Sequence, residues 1–144
     1  MLVLEPSADG GALKIARKGV GTFTCRSLVR ASHAGLEPEK GINALVELAT
    51  QVQRIVAMAR PELGTTVTPT VATAGNAENV VPDAAMIKVD VRVVLPEEKE
   101  RLEREMSQLK PVVDGAVIKV SGSVNRPPMH ESAVASVWCC RNCG

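Results

Sequence analysis

Among the residue types in this sequence that can do chemistry are Glu5 in LVLEPS, His33 in RASHAG, Asn79 in ENVVP, and the guanidinium groups of Arg92 and Arg126. One carboxylate cannot hold a catalytic zinc, which takes about three protein ligands and an open position. A guanidinium fork suits bidentate capture of a carboxylate, although Arg92 on a strand reads equally well as a solvated charge. By itself His33 reads as a polar loop residue. Asn79, ahead of Val80-Val81-Pro82, reads as a turn residue before an extended segment. The tail VWCCRNCG sets Cys140 and Cys143 at C-x-x-C spacing. Only Cys139 is left toward a second pair, so the tail is not expected to be a metal site.

The elements that must position these groups follow from patterning. A chain of 144 residues supports one domain with one core. With one Phe, one Trp and no Tyr, that core must be aliphatic. Val20–Val29 is an imperfect strand, and 31–41 reads as a loop through Gly35, Pro38 and Gly41. Asn43 is placed to cap a helix whose Leu45, Leu48, Ala49, Val52, Ile55 and Val56 form one apolar stripe, ended by Pro61 and Gly64. Thr65–Thr73 is an edge strand, because Pro69 cannot donate to a ladder, with Val67 and Val71 on one face. Met86–Val94 alternates cleanly, with Lys88, Asp90 and Arg92 on the polar face. Pro96 opens a charged helix with Leu102, Met106 and Leu109 as its stripe, and 116–120 is a last short strand. This succession predicts an α+β, ferredoxin-like βαββαβ fold over residues 17–124: a four-stranded antiparallel sheet with two helices on one face.

A net charge of +1 and the lack of stacking aromatics exclude nucleic acid as a partner. No apolar run reaches the ~18 residues that would span a bilayer. The first residues lack a basic start and a long apolar run, so no signal peptide is expected, and the cysteine distribution fits a reducing cytoplasm.

Six segments occur in an order that resembles the metal-dependent peptidase family of glutamate carboxypeptidase, acetylornithine deacetylase and succinyl-diaminopimelate desuccinylase. They are LVLEPS, ARKGVGTF, RASHAGLEPEKGINALVELA, AGNAENVVPDAA, KVDVRV and NRPPM, over nearly residues 2–129. The resemblance implies a dimerisation (lid) domain at 17–124, preceded by a remnant of a two-zinc catalytic domain and hinge at 1–16. It leaves a hinge remnant and an atypical tail at 125–144, the marks of a fragment. It further implies that Glu5 matches a zinc ligand and that His33 is the catalytic lid histidine, reaching a partner's active site to donate to a carbonyl or carboxylate. Asn79, Arg92 and Arg126 would bind substrate. Zinc belongs to the full-length parent, and this chain alone is expected to bind none and to be inactive. The expected partners are a second copy of the chain and the parent's catalytic domain. A free-standing amino-acid-binding or regulatory module is the alternative, and an enzyme in its own right a further one. The family usually has Gly where this chain has Val29.

Overall fold

The structure, a computed structural model of the chain, describes residues 16–29, 32–33 and 42–129, with the backbone alone at 32–33. Strands β1 (Gly19–Leu28), β3 (Thr66–Ala74), β5 (Ala84–Val93) and β6 (Val117–Arg126) make one sheet in the order β3-β5-β1-β6. Every pairing in it is antiparallel. Helix α1 (Ala44–Val56) packs over β3, β5 and β1, and α2 (Pro96–Ser107) over β6 and β5. Two short strands, β2 (Ser32–His33) and β4 (Val80–Val81), pair apart from the main sheet. The ferredoxin-like arrangement expected from the sequence is present, and β2 and β4 are the additions, since 31–41 reads as a loop and 75–85 as a turn-rich connection.

Alternation decides which face is buried. Ala85, Ile87, Val89, Val91 and Val93 of β5 meet Phe23 and Cys25 of β1 beneath the helices. Arg26, Lys88, Asp90 and Arg92 take the opposite, open face. On β3 the expected shared face of Val67 and Val71 is not found. A register shift between Pro69 and Val71 inserts one residue, so Val67 is buried while Val71 is 47% exposed. The last strand runs on to Arg126 rather than ending at Val120. Gly122 allows this with φ of 117°, a conformation that side-chain-bearing residues rarely adopt, where β6 crosses Phe23.

Asn43 caps α1 as its position predicts, accepting from Leu45 N at 2.9 Å and Val46 N at 3.3 Å. The buried face of the helix differs from the expected stripe. It consists of Ala44, Glu47, Leu48, Gln51 and Ile55, while Leu45 and Val56 stay about half exposed at 49% and 45%. The cause is polar. Glu47, with no solvent exposure, accepts from Val113 N (2.7 Å), Val112 N (3.1 Å) and Gln51 Nε2 (2.6 Å). Gln51 and Arg54 both donate to Lys110 O at 2.9 Å. These bonds tie α1 to the α2–β6 connection and fix how the helix is turned about its axis.

A second buried network joins α2 to the segment after α1. Arg101 donates twice to Glu98 (2.6 and 2.8 Å), once to Glu105 (2.8 Å) and once to Met58 O (2.9 Å). Arg60 adds a contact to Glu98 at 3.3 Å. The hydrogen bonds from Arg101 hold the Glu98 carboxyl below its ordinary 4.5, although burial pushes the other way.

Two outcomes are expected. Glu47→Ala strands two amides and an amide side chain, and should lower stability by about 3 kcal/mol in urea denaturation. A change within error would contradict the tether. A depressed carboxyl pKa contributes stability above the unfolded value and loses it as pH falls through the folded one. The stability gap between the natural chain and Glu98→Gln should therefore shrink as pH drops from about 6 to about 3, and a gap that widens would reverse the assignment.

Candidate functional site

The segment 79–83 positions the sequence-predicted pair His33 and Asn79. Ser32 pairs with Val81 and His33 with Val80, so the His33 backbone lies one residue from Asn79 in register. The next two residues anchor this pair to the fold: Pro82 O accepts from Ala44 N (3.0 Å) and Asp83 O from Val29 N (2.8 Å). The first holds the start of α1 and the second the end of β1. Asn79 itself is exposed in the turn before β4.

Arg92 and Arg126 form a second group. Both are exposed and stand opposite Val20, one on each side, in a single row across β5, β1 and β6. Adjacent strands lie about 4.8 Å apart, which puts these two backbones about 10 Å from each other. Arg92 already holds Asp90, with Nε to Oδ2 at 2.8 Å and Nη2 to Oδ1 at 3.3 Å. An exposed pair of this kind adds little to stability, but it sets the direction of the fork. Reading the sequence assigned no role to Asp90. The available signal was two opposite charges two residues apart on one face of the alternating strand.

The two groups do not converge within one chain. The β2–β4 pair adjoins the Ala84 end of β5, and Arg92 stands eight residues further along that strand (92 − 84), about 27 Å away. Glu5 and the cysteine-rich tail lie outside the described residues. Among the described residues no group of three or more His, Cys, Asp or Glu could hold a metal ion. The cysteine among the described residues is Cys25, whose thiol is pushed up to about 11 by burial and by the neighbouring Glu47.

Residues 15–111 match the family described as the peptidase dimerisation domain. Carboxypeptidase G2 of Pseudomonas sp. (strain RS-16) is 32% identical over 128 residues, covering 85% of this chain and 31% of that protein. Aminobenzoyl-glutamate utilization protein from Klebsiella pneumoniae superposes with a TM-score of 0.68 at 24% identity, over 81% of this chain and 31% of that one. Aminopeptidase PepT from Bacillus cereus does so at 0.70 and 21% identity, over 93% of this chain and 37% of that one. At such identities the two structures speak for the fold alone. The chain thus spans about a third of the length of these relatives.

Burial gives Cys25 a checkable property. In the folded chain it should resist iodoacetamide at neutral pH, followed on its own peptide by mass spectrometry, and react once urea unfolds the sheet. Prompt native labelling would mean that α1 does not cover β1.

Proposed function

This chain belongs to the peptidase dimerisation domain family, and on that premise we propose that it is the dimer-forming lid of a zinc-dependent carboxypeptidase or N-acyl-amino-acid amidohydrolase. In this reading His33 and Asn79 are lent to the active site of a partner subunit. The pairing of His33 with Val80 is the observation that supports it most, because it brings the backbones of His33 and Asn79 next to each other on an anchored segment. A preorganised donor aimed at an oxygen that gains negative charge is worth a few kcal/mol in an acyl-transfer step. The carboxypeptidase likeness supports a substrate bearing a carboxylate. In this reading the metal and its chemistry belong to the catalytic domain, and the chain alone is inactive.

Two further features favour a lid. Arg17 and Met129 exchange backbone hydrogen bonds of 2.9 and 2.8 Å, so the chain enters and leaves this domain as a bonded pair of segments. Such a pair suits a two-strand tether to a larger domain. The second feature is the β3 side of the molecule. Leu45, Ala49, Val52 and Val56 line the flank of α1 turned away from the α2–β6 connection, and all but Val52 are exposed. This apolar flank runs beside β3, an edge strand exposed from Thr70 to Ala74. The other edge, β6, neighbours the charged helix EEKERLERE, and its Val124 N–H already donates to Glu103 at 3.0 Å. Pairing of β3 with its own copy across a two-fold axis would satisfy the open ladder and cover the apolar flank together.

Sedimentation velocity should then find a homodimer, with Leu45→Glu weakening it at least about tenfold. A chain that stays monomeric at high concentration contradicts the proposal. To test the histidine, the matching segment of carboxypeptidase G2 is replaced by this chain. His33→Ala in that hybrid should lower kcat about 100-fold with little change in KM. An unaltered kcat would remove the proposed donor.

A further inference from the structure

We propose that the open face of the sheet binds a small aliphatic dicarboxylate between Arg26 and Lys88 over the side chain of Met86. The inference goes beyond the lid reading and does not rest on it, since it concerns binding by this chain alone.

The first observation is an unbalanced charge. The strand registers place Arg26, Lys88, Arg92, Lys119 and Arg126 on the open face, with Asp90 as the strands' one acidic residue. Asp90 is committed to Arg92. Arg26 and Lys119 stand directly opposite each other on β1 and β6, an arrangement of like charges that destabilises a sheet. Lys88 is diagonal to Arg26 through the Met86 and Thr24 positions, about 7–8 Å away. Among the described residues, the side chains of Arg26, Lys88 and Lys119 make no ion pair or hydrogen bond. Three cations thus share one stretch of a chain whose net charge is only +1.

The second observation is a cavity at the same place. A groove of about 290 Å³ opens on this face, lined by Arg26, Leu28, Thr73, Gly75, Ala84 and Met86, and Lys88 stands just outside it, two residues along β5 from Met86. That volume lies just below the usual range for ligand pockets, so it admits one small molecule and not a folded partner. Its floor is apolar, from Met86, Leu28 and Ala84, and its polar groups are the guanidinium of Arg26 and the hydroxyl of Thr73. Repulsion from Lys119 biases Arg26 toward the groove. A carboxylate in the groove on Arg26 gains a charge-assisted pair, the aliphatic body crosses Met86, and a second carboxylate extends past the groove to Lys88. Adipate is long enough to span two residues at diagonal positions of neighbouring strands, about 7–8 Å. A compact anion such as phosphate answers the charge and not the floor.

The test is an NMR titration of the full 144-residue chain with adipate, with inorganic phosphate as the comparison and Arg26→Gln as the variant. Saturable shifts at the amides of Arg26, Met86 and Lys88 are expected with adipate. Arg26→Gln, with an otherwise unchanged spectrum, should weaken binding about tenfold, and phosphate should bind about tenfold more weakly than adipate. Phosphate binding as tightly as adipate would reduce the site to general charge attraction and overturn the proposal. Shifts that do not saturate, or that persist in Arg26→Gln, would do the same. Thermal melting checks the premise separately. Arg26→Gln or Lys119→Gln should raise the melting temperature in the absence of ligand by relieving the opposed charges, and a lowered value would contradict it.

Discussion

The peptide stretch Val80–Asp83 has to satisfy three partners at once, and the placement of everything near the candidate site depends on it. Val80 and Val81 pair with His33 and Ser32, Pro82 O takes the first helical amide of α1, and Asp83 O takes the amide that ends β1. A proline in this position lacks an N–H to compete for a partner and leaves its carbonyl free to accept. Because the next residue starts β5, the inner strand that pairs with β1, a shift of one residue here would move every core valine of β5 to the open face. Burial of that strand therefore fixes the position of the His33 backbone. A loop carrying a donor gains its accuracy from a rigid element in this way.

A second balance lies within α1. The helix has enough apolar residues to bury a purely hydrophobic face, yet it buries Glu47 and Gln51 instead. An isolated buried carboxylate would be costly, but Glu47 is met by two backbone amides and an amide side chain, which offsets its desolvation. The consequence is geometric. With Glu47 turned toward the α2–β6 connection, Leu45, Ala49 and Val56 are left in water beside an unpaired strand. Apolar surface next to an open ladder is a liability in a monomer and an asset in an oligomer. The same residues that lock α1 to the α2–β6 connection thus prepare the surface proposed to join two copies.

Elements whose signals are local and strongly periodic were legible in the sequence. Met86–Val94 alternates without interruption, Asn43 carries a capping side chain, and Pro96 sits where a helix tolerates it, and each was found where the pattern put it. Non-local bonding hid the rest. Nothing in the spacing of Leu45 and Val56 reveals that Glu47 would find amides more than sixty residues away. The bulge after Pro69 reverses the face of Val71, and Gly122 lets β6 outrun its short apolar core, both through pairing that a single strand does not display. For the site, the sequence supplied residue types and a family likeness. The structure adds that His33 and Asn79 lie together on the backbone, while Arg92 and Arg126 occupy the far end of the sheet. The open-face cations escaped notice because Arg26 and Lys119 become neighbours only once β1 and β6 are paired.

How the free edge of β3 is used decides whether the chain is a dimer-forming lid. Amide hydrogen exchange of the chain, followed residue by residue as its concentration is raised, addresses that edge directly. Slowing of exchange along β3 from Thr66 to Ala74 and over the Leu45–Val56 flank of α1, with β6 unaffected, is the predicted result. Protection that appears along β6 instead, or exchange in β3 that is indifferent to concentration, would contradict a lid that pairs through this strand.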